Sequence, residues 1–288
     1  MRIVRLSVLT AILASSAMMP SRAAVPISVY AHRGGAALAP ENTLGAFRQA
    51  HAMYGDRGVW LEMDVQQTRD PKLVVIHDDS LDRTTNCTGT VITKFYHQID
   101  DECDARKTFP TWPTVERIPL FDDVLREGKS AGWRIMAEIK NIPGQANFDP
   151  QGQKIATALV ASVKEASFPL ERIQVQSFWP PALEYMELLE PRIHTVLLTT
   201  SQLPGAPPGA GFTLMENAAF ATARGYEISA PDDAAVDLER ETVAAARSLG
   251  RRVVLWTINH PDRVTRAIML GVDGIISDRP DLVYEALG

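Results

Sequence analysis

Short runs of apolar and β-branched residues alternate along this chain with amphipathic stretches of helical length. Such runs predict buried strands, and the stretches between them, with apolar residues every three or four positions, predict helices. The predicted strands cover residues 28–34, 59–68, 73–78, 134–140, 173–178, 194–200, 226–231, 252–259 and 274–278. The predicted helices cover residues 41–54, 120–132, 153–166, 181–190, 214–225, 238–250 and 261–271.

The repeated order of strand and helix predicts an α/β fold with a parallel sheet and helices outside it. Glycine follows several predicted helices, as expected of C-terminal caps, at Gly132, Gly225, Gly250 and Gly271. If residues 59–78 are counted as one arm with an extra strand, the chain holds about eight units, which matches a single (β/α)8 TIM-type barrel. A doubly wound sheet is the alternative, but no G-x-G-x-x-G motif follows the first strand.

Residues 79–119 interrupt this rhythm and lack a clear periodic pattern. The segment carries both cysteines of the chain, Cys87 and Cys103, together with several aromatic residues. A connection of this length in a compact domain usually has a function or a small fold of its own. We expect an inserted lobe after the second strand arm, above one mouth of the barrel.

The N-terminus has the pattern of a signal peptide over residues 1–23. Arg2 and Arg5 precede an apolar run that is short for a membrane span, and small residues follow it. A buried N-terminal helix is the alternative. The barrel domain is then residues 24–288 of an exported protein, periplasmic or secreted and without a stable membrane anchor. In such a protein the close pair of cysteines favours a disulfide over two free thiols.

Composition and net charge limit the classes of partner that the protein could bind. Of 288 residues 45% are hydrophobic, enough for one large core, and the net charge is -6. The sequence contains no basic stretch interleaved with aromatic residues, so a nucleic-acid partner is not expected.

Ionisable side chains gather near the carboxyl ends of the early predicted strands. They come as four close pairs: His32 with Arg33, Glu62 with Asp64, His77 with Asp78, and Glu138 with Lys140. Each pair alone has an ordinary structural explanation: a solvated strand face, a surface turn or a salt bridge. Four pairs at the same end of successive strands indicate the active face of a barrel.

The chemistry of these groups is coherent. Three carboxylates without a thiol offer only oxygen ligands, which suits one divalent cation, Ca²⁺ or Mg²⁺, better than Zn²⁺. Without a cation, three such charges in one pocket would repel one another. The side chains of Arg33 and Lys140 add positive charge that suits a phosphate. The two imidazoles can divide the roles of general base and general acid near neutral pH. Together they describe phosphodiester cleavage.

The order of motifs resembles that of the glycerophosphodiester phosphodiesterase family. HRG and PENT are followed by E-x-D-V, HD-x-x-L-x-RTT, E-I-K, WTIN and DGIISDRPD, across residues 29–284. The resemblance implies a TIM-type barrel, a divalent cation, and hydrolysis of small-molecule glycerophosphodiesters to glycerol 3-phosphate and an alcohol. The chain departs from the family pattern at Arg69-Asp70-Pro71, where T-K-D-G is usual, and at Ser277, where Thr is common.

The same resemblance implies roles for individual residues. The catalytic pair matches His32 and His77, with His32 favoured as base and His77 as acid. The metal ligands match Glu62, Asp64 and Glu138, and the substrate contacts match Arg33, Glu41, Lys140 and Trp256. A glycerol hydroxyl of the substrate, forming a cyclic phosphate, is one candidate for the first nucleophile, and water is the other.

Two alternatives to this function remain open on the sequence. A phospholipase D acting on lysophospholipid or sphingolipid head groups has a similar motif order, and the aromatic residues of segment 79–119 would supply its apolar rim. A degenerate barrel that only binds a phosphorylated ligand would have lost a catalytic histidine or a metal-binding carboxylate. The sequence keeps both histidines and all three carboxylates.

Overall fold

The computed structural model describes residues 26–199, 222–224, 226, 228–231 and 240–288. The predicted signal peptide, residues 1–23, lies outside the described residues, and so does most of the predicted helix 214–225.

Eight parallel strands form a closed ring. The strand bounds are β1 Ser28–Ala31, β2 Trp60–Gln67, β3 Leu73–Val75, β4 Arg134–Ile139, β5 Ile173–Ser177, β6 His194–Thr199, β7 Ile228–Pro231, β8 Arg252–Leu255 and β9 Gly274–Ser277. β1 pairs in parallel with both β2 and β9, which closes the barrel. β3 lies outside the ring and pairs antiparallel with the end of β2. The predicted (β/α)8 barrel with one extra strand is confirmed, and the closed ring rules out a doubly wound sheet.

Helices follow most of the strands and cover the outside of the ring. Their bounds are α1 Leu44–Tyr54, α2 Tyr96–Glu102, α3 Phe121–Ala131, α4 Gln153–Ala166, α5 Pro180–Leu189, α6 Arg240–Ser248, α7 Pro261–Leu270 and α8 Pro280–Leu287. The sequence pattern missed α2 and α8, because each offers only about two turns of periodicity. Gly132 ends α3 and Gly271 ends α7, both in the left-handed region expected of a C-terminal cap.

Alternation along β2 decides which side chains enter the barrel. Leu61, Met63 and Val65 face the outer core between strands and helices. Their neighbours point the other way, since successive side chains of a strand alternate between its two faces. Trp60 belongs to the apolar cluster of the barrel interior, and Glu62 and Asp64 are buried on the same face of β2.

The segment 79–119 forms the predicted lobe with a small core of its own. This core has eight buried residues, among them Leu81, Val91 and Ile99 of the lobe and Val74 of the extra strand β3. Cys87 and Cys103 are joined by a disulfide, as predicted, with their Cα atoms 5.4 Å apart. The lobe also contacts the barrel, because Gly45 N at the start of α1 donates to Glu116 Oε2 at 3.1 Å.

Within the described residues, every helix is too short or too polar to cross a lipid bilayer.

Candidate active site

The loop after β1 brings His32 and Arg33 to the mouth of the barrel. Arg33 has a positive φ of 53° and Gly34 one of 84°, so the chain turns sharply there. Only glycine fits at position 34, because a Cβ would lie 2.8 Å from the Cβ of Ala46 on α1. The turn also points Arg33 N at Glu62 Oε2, to which it donates at 2.8 Å.

The three predicted metal ligands converge. Glu62 and Asp64 come from β2, and Glu138 comes from the adjacent β4, where it lies level with Asp64. One carboxylate oxygen from each residue lies within 4.8 Å of the others, and all three side chains are buried. Among the described residues, Asp64 Oδ1 accepts no hydrogen bond. Three converging carboxylates form an all-oxygen ligand set of the kind that a hard cation prefers, so these residues fit a divalent cation.

Burial and mutual repulsion govern protonation in this cluster. Burial, then the charges of Asp64 and Glu138, hold the pKa of Glu62 well above its ordinary value. Burial likewise raises the pKa of Glu138 to about 7, against the opposing effect of Lys140. Burial also disfavours the charged form of Asp64, but the nearby cations outweigh it and lower the pKa of that carboxyl. Additional positive charge at this site would therefore stabilise the ionised forms of Glu62 and Glu138.

The two predicted phosphate-binding cations lie against these carboxylates. Lys140 Nζ is 2.8 Å from Glu138 Oε1 and 3.6 Å from Asp64 Oδ1, with its side chain only 2% exposed. Arg33 Nε is 3.4 Å from Asp64 Oδ2. Both side chains also line the cavity at the barrel mouth. They balance the carboxylates and still face the space where a substrate would sit.

His32 forms the first of two histidine–aspartate pairs. Its Nδ1 lies 2.6 Å from Asp278 Oδ1, just beyond the end of β9, while its Nε2 lies 3.9 Å from Glu62. Asn259 holds the aspartate, since its Nδ2 donates to Asp278 Oδ2 at 2.6 Å and its Oδ1 accepts from Asp278 N at 2.8 Å. A carboxylate on Nδ1 fixes the ring orientation and leaves Nε2 for proton transfer.

His77 forms the second pair but lies off the barrel. The sequence predicted that His77 ends a neighbouring barrel strand. In the structure it follows the extra strand β3, which lies outside the ring. Its Nδ1 lies 2.7 Å from Oδ1 of the next residue, Asp78. Burial, partly offset by Asp64, lowers the pKa of His77. Both predicted histidines therefore line one cavity, each backed by a carboxylate.

Glu41 lies beside this site in an ion-pair network. Arg33 Nη1 is 3.2 Å from Glu41 Oε1, and Arg83 donates to both carboxylate oxygens of Glu41 at 2.7 and 2.8 Å. The next residue, Asn42, donates from Nδ2 to Asp64 Oδ2 at 2.8 Å. The PENT motif thus secures the acidic cluster and the arginines together.

The cavity between these groups has one charged wall and one apolar wall. Its volume is about 240 Å³. The charged wall carries the histidines, Arg33, Lys140 and Glu138, and the apolar wall is formed by Ile142, Phe178, Leu198, Trp256 and Ile276. Trp256 packs edge to face on Phe178, with ring centroids 5.3 Å apart. Trp256 therefore lines the cavity, and its role beside a substrate stays a prediction.

Sequence reasoning missed the residues that support this site. Asp278, Asn259 and Arg83 lie within the motifs DGIISDRPD, WTIN and RTT, but their contacts form only when the fold brings distant segments together. Gln176 had a weaker signal, its place on β5 level with Glu138, and it donates to Glu62 Oε1 at 2.8 Å.

Comparison with known proteins places this barrel among the phosphoric diester hydrolases. The model of the Glycerophosphoryl diester phosphodiesterase family matches residues 32–282, and the chain belongs to this family. It is an enzyme of that class, a glycerophosphodiester phosphodiesterase.

Individual relatives cover nearly the whole chain. YhdW of Bacillus subtilis strain 168 is 31% identical over 89% of this chain and 96% of its own. The glycerophosphodiester phosphodiesterase of Caldanaerobacter subterraneus is 32% identical over 88% of this chain and 94% of its own. A solved phosphodiesterase structure from Oleispira antarctica, in complex with the product sn-glycerol-3-phosphate, superposes with a TM-score of 0.75 at 24% identity, covering 91% of this chain and 97% of its own.

Proposed function

We propose that this enzyme hydrolyses glycerophosphodiesters to glycerol 3-phosphate and an alcohol, using two histidines and one divalent cation, Ca²⁺ or Mg²⁺. The observation that carries the proposal is that both histidines line one cavity together with Glu138, which belongs to the buried carboxylate cluster.

Glu62, Asp64 and Glu138 are the residues that would hold the cation. When bound, the cation supplies positive charge that polarises a phosphoryl oxygen and stabilises the charge of the transition state. The raised pKa values of Glu62 and Glu138 support this assignment, because burial and the neighbouring carboxylates disfavour their charged forms, and a bound cation would offset both effects.

His32 and His77 exchange the protons of the reaction. We assign His32 as general base, taking a proton on Nε2 from the attacking hydroxyl as its oxygen bonds to phosphorus. His77 is the general acid, giving a proton to the alcohol oxygen as the bond from phosphorus to that oxygen breaks. The attacking hydroxyl belongs either to water or to the glycerol part of the substrate, the latter forming a cyclic phosphate that water then opens. Incorporation of solvent ¹⁸O in the first step selects water, and trapping of the cyclic product selects the glycerol hydroxyl.

The remaining side chains would bind the substrate. Arg33 and Lys140 place two cations on the charged wall, where a phosphate would be held. Glu41 lies beside the cavity, held by Arg33 and Arg83, and would contact the glycerol part of the substrate. Trp256 lines the cavity and would pack against the carbon skeleton. The product named for the Oleispira structure has this chemistry, a phosphate joined to a glycerol.

A coupled assay for glycerol 3-phosphate tests the function. Glycerophosphocholine should release glycerol 3-phosphate, and EDTA should abolish the release until Ca²⁺ or Mg²⁺ is added. Lysophosphatidylcholine is the comparison substrate for the phospholipase D alternative. Faster choline release from the lysolipid would replace our proposal with that alternative, and binding without turnover would favour the degenerate barrel.

We also propose that the protein is exported, to the periplasm or beyond, after removal of residues 1–23. The disulfide between Cys87 and Cys103 supports this proposal, because such bonds persist in oxidising compartments. N-terminal sequencing of the protein recovered outside the cytoplasm tests it. A mature chain that still begins at Met1 would refute the cleavage.

A further inference from the structure

Arg83 of the inserted lobe connects two parts of the site that the sequence leaves apart. Its Nε donates to Asp78 Oδ2 at 2.7 Å, and its Nη2 donates to Asp78 Oδ1 at 3.0 Å. The same guanidinium also donates to Glu41, from Nη1 to Oε2 at 2.7 Å and from Nη2 to Oε1 at 2.8 Å. Four charge-assisted hydrogen bonds thus join one arginine to two carboxylates.

Each of those carboxylates touches a residue of the proposed reaction. Asp78 Oδ1 lies 2.7 Å from His77 Nδ1. Glu41 Oε1 lies 3.2 Å from Arg33 Nη1, and Arg33 in turn lies 3.4 Å from Asp64. Arg83 therefore completes a continuous chain of polar contacts from the acidic cluster to His77.

This link matters most for the ring of His77, because Gln66 Nε2 holds only the backbone oxygen of His77, at 3.1 Å, while Asp78 holds the ring. His77 is not on a barrel strand, and its side chain is 32% exposed against 13% for His32. Asp78 is its sequence neighbour on the same irregular loop, so the pair needs an anchor from elsewhere in the fold. The guanidinium fork offers that anchor, since its planar donors fix the orientation of a carboxylate in a way that a lysine ammonium cannot.

We propose that Arg83 is a positioning residue, which orients Asp78, and through it His77, relative to Glu41. This inference rests on the proposed two-histidine function and deepens it. Arg83 itself does not touch the reacting atoms in this scheme. It aligns the acid with the substrate-binding carboxylate, so that the inserted lobe contributes one side of the reaction geometry.

The proposal predicts a specific pattern of losses. Arg83→Ala should lower kcat by about 10- to 100-fold, the usual cost of removing a residue that orients a functional ligand or base. KM should rise by a smaller factor than kcat falls, because Glu41 loses Arg83 but keeps its contact with Arg33, and Arg33 and Lys140 still line the cavity. Arg83→Lys should lie between the wild type and the alanine variant, since it keeps the charge but loses the fork.

Chemical rescue separates positioning from a general structural role. Millimolar guanidinium, far below denaturing concentrations, should restore part of the kcat of Arg83→Ala by occupying the vacated space, and methylammonium should not. The matched control is Arg106→Ala, because Arg106 belongs to the same lobe and forms a similar bidentate pair, with Asp104. The control should keep nearly wild-type kcat and should not respond to guanidinium.

Each outcome decides the proposal. Wild-type kcat in Arg83→Ala would overturn it, and so would a loss that guanidinium fails to rescue. If Arg83→Ala does not fold, judged by circular dichroism, then Arg83→Lys decides, and wild-type kcat in that folded variant would overturn the proposal. The wild-type enzyme is assayed first on glycerophosphocholine, so a failure of the proposed function is seen there, independently of any variant.

Discussion

The two histidine–aspartate pairs face one cavity but are built in different ways. The His32 pair is made by the barrel itself, with the histidine just after β1, its aspartate just after the adjacent β9, and Asn259 holding that aspartate. The His77 pair lies on a loop outside the ring and depends on Arg83 from the lobe. In the proposed mechanism, therefore, the barrel provides one histidine–aspartate pair and the inserted lobe supports the other.

The largest expected effect comes from removing either imidazole. His32→Ala and His77→Ala should each fold normally and lose about 10² to 10⁴ in kcat, the usual contribution of a positioned acid or base. Steady-state kinetics on glycerophosphocholine, with circular dichroism as the folding control, measures this. If one variant kept nearly wild-type turnover, that histidine would have no part in the mechanism, and its pair with aspartate would be only structural.

A smaller effect is expected from the two aspartates. Asp278→Asn and Asp78→Asn should each lower kcat by about 10- to 100-fold, because the amide keeps the shape but loses the charge that orients the imidazole. Combining each with Arg83→Ala sharpens the comparison. The losses of Asp78→Asn and Arg83→Ala should overlap, whereas those of Asp278→Asn and Arg83→Ala should multiply, as for independent sites. Equal coupling to both aspartates would contradict the division into two halves.

The smallest effect on chemistry is expected from the disulfide. Replacing Cys87 and Cys103 by serine should destabilise the lobe by on the order of 3 kcal/mol in the chain-entropy model for a loop of this size. Amide hydrogen exchange should speed up in residues 79–119 and stay unchanged in the barrel strands. Faster exchange throughout β1 and β2 would show instead that lobe and barrel unfold as one unit.

The sequence predicted the barrel well because its signals are local. Strand and helix periodicity placed nearly every element, and the alternation along β2 put Glu62 and Asp64 on one face. The position of His77 was misjudged because the antiparallel turn of β3 makes that residue leave the ring, which periodicity does not reveal. Asp278 and Arg83 depend on contacts between residues far apart in sequence, and only ring closure and lobe packing bring these together.

The most direct test of the account is calorimetric titration of the metal-stripped enzyme with Ca²⁺ and Mg²⁺, compared with Glu138→Gln. We expect the wild type to bind one cation per chain while its circular dichroism spectrum stays unchanged, because the apolar core does not involve the cluster. Glu138→Gln should bind the cation far more weakly, and the exposed surface variant Glu165→Gln should bind like the wild type. Full activity without measurable cation binding, or unaltered binding in Glu138→Gln, would contradict the account.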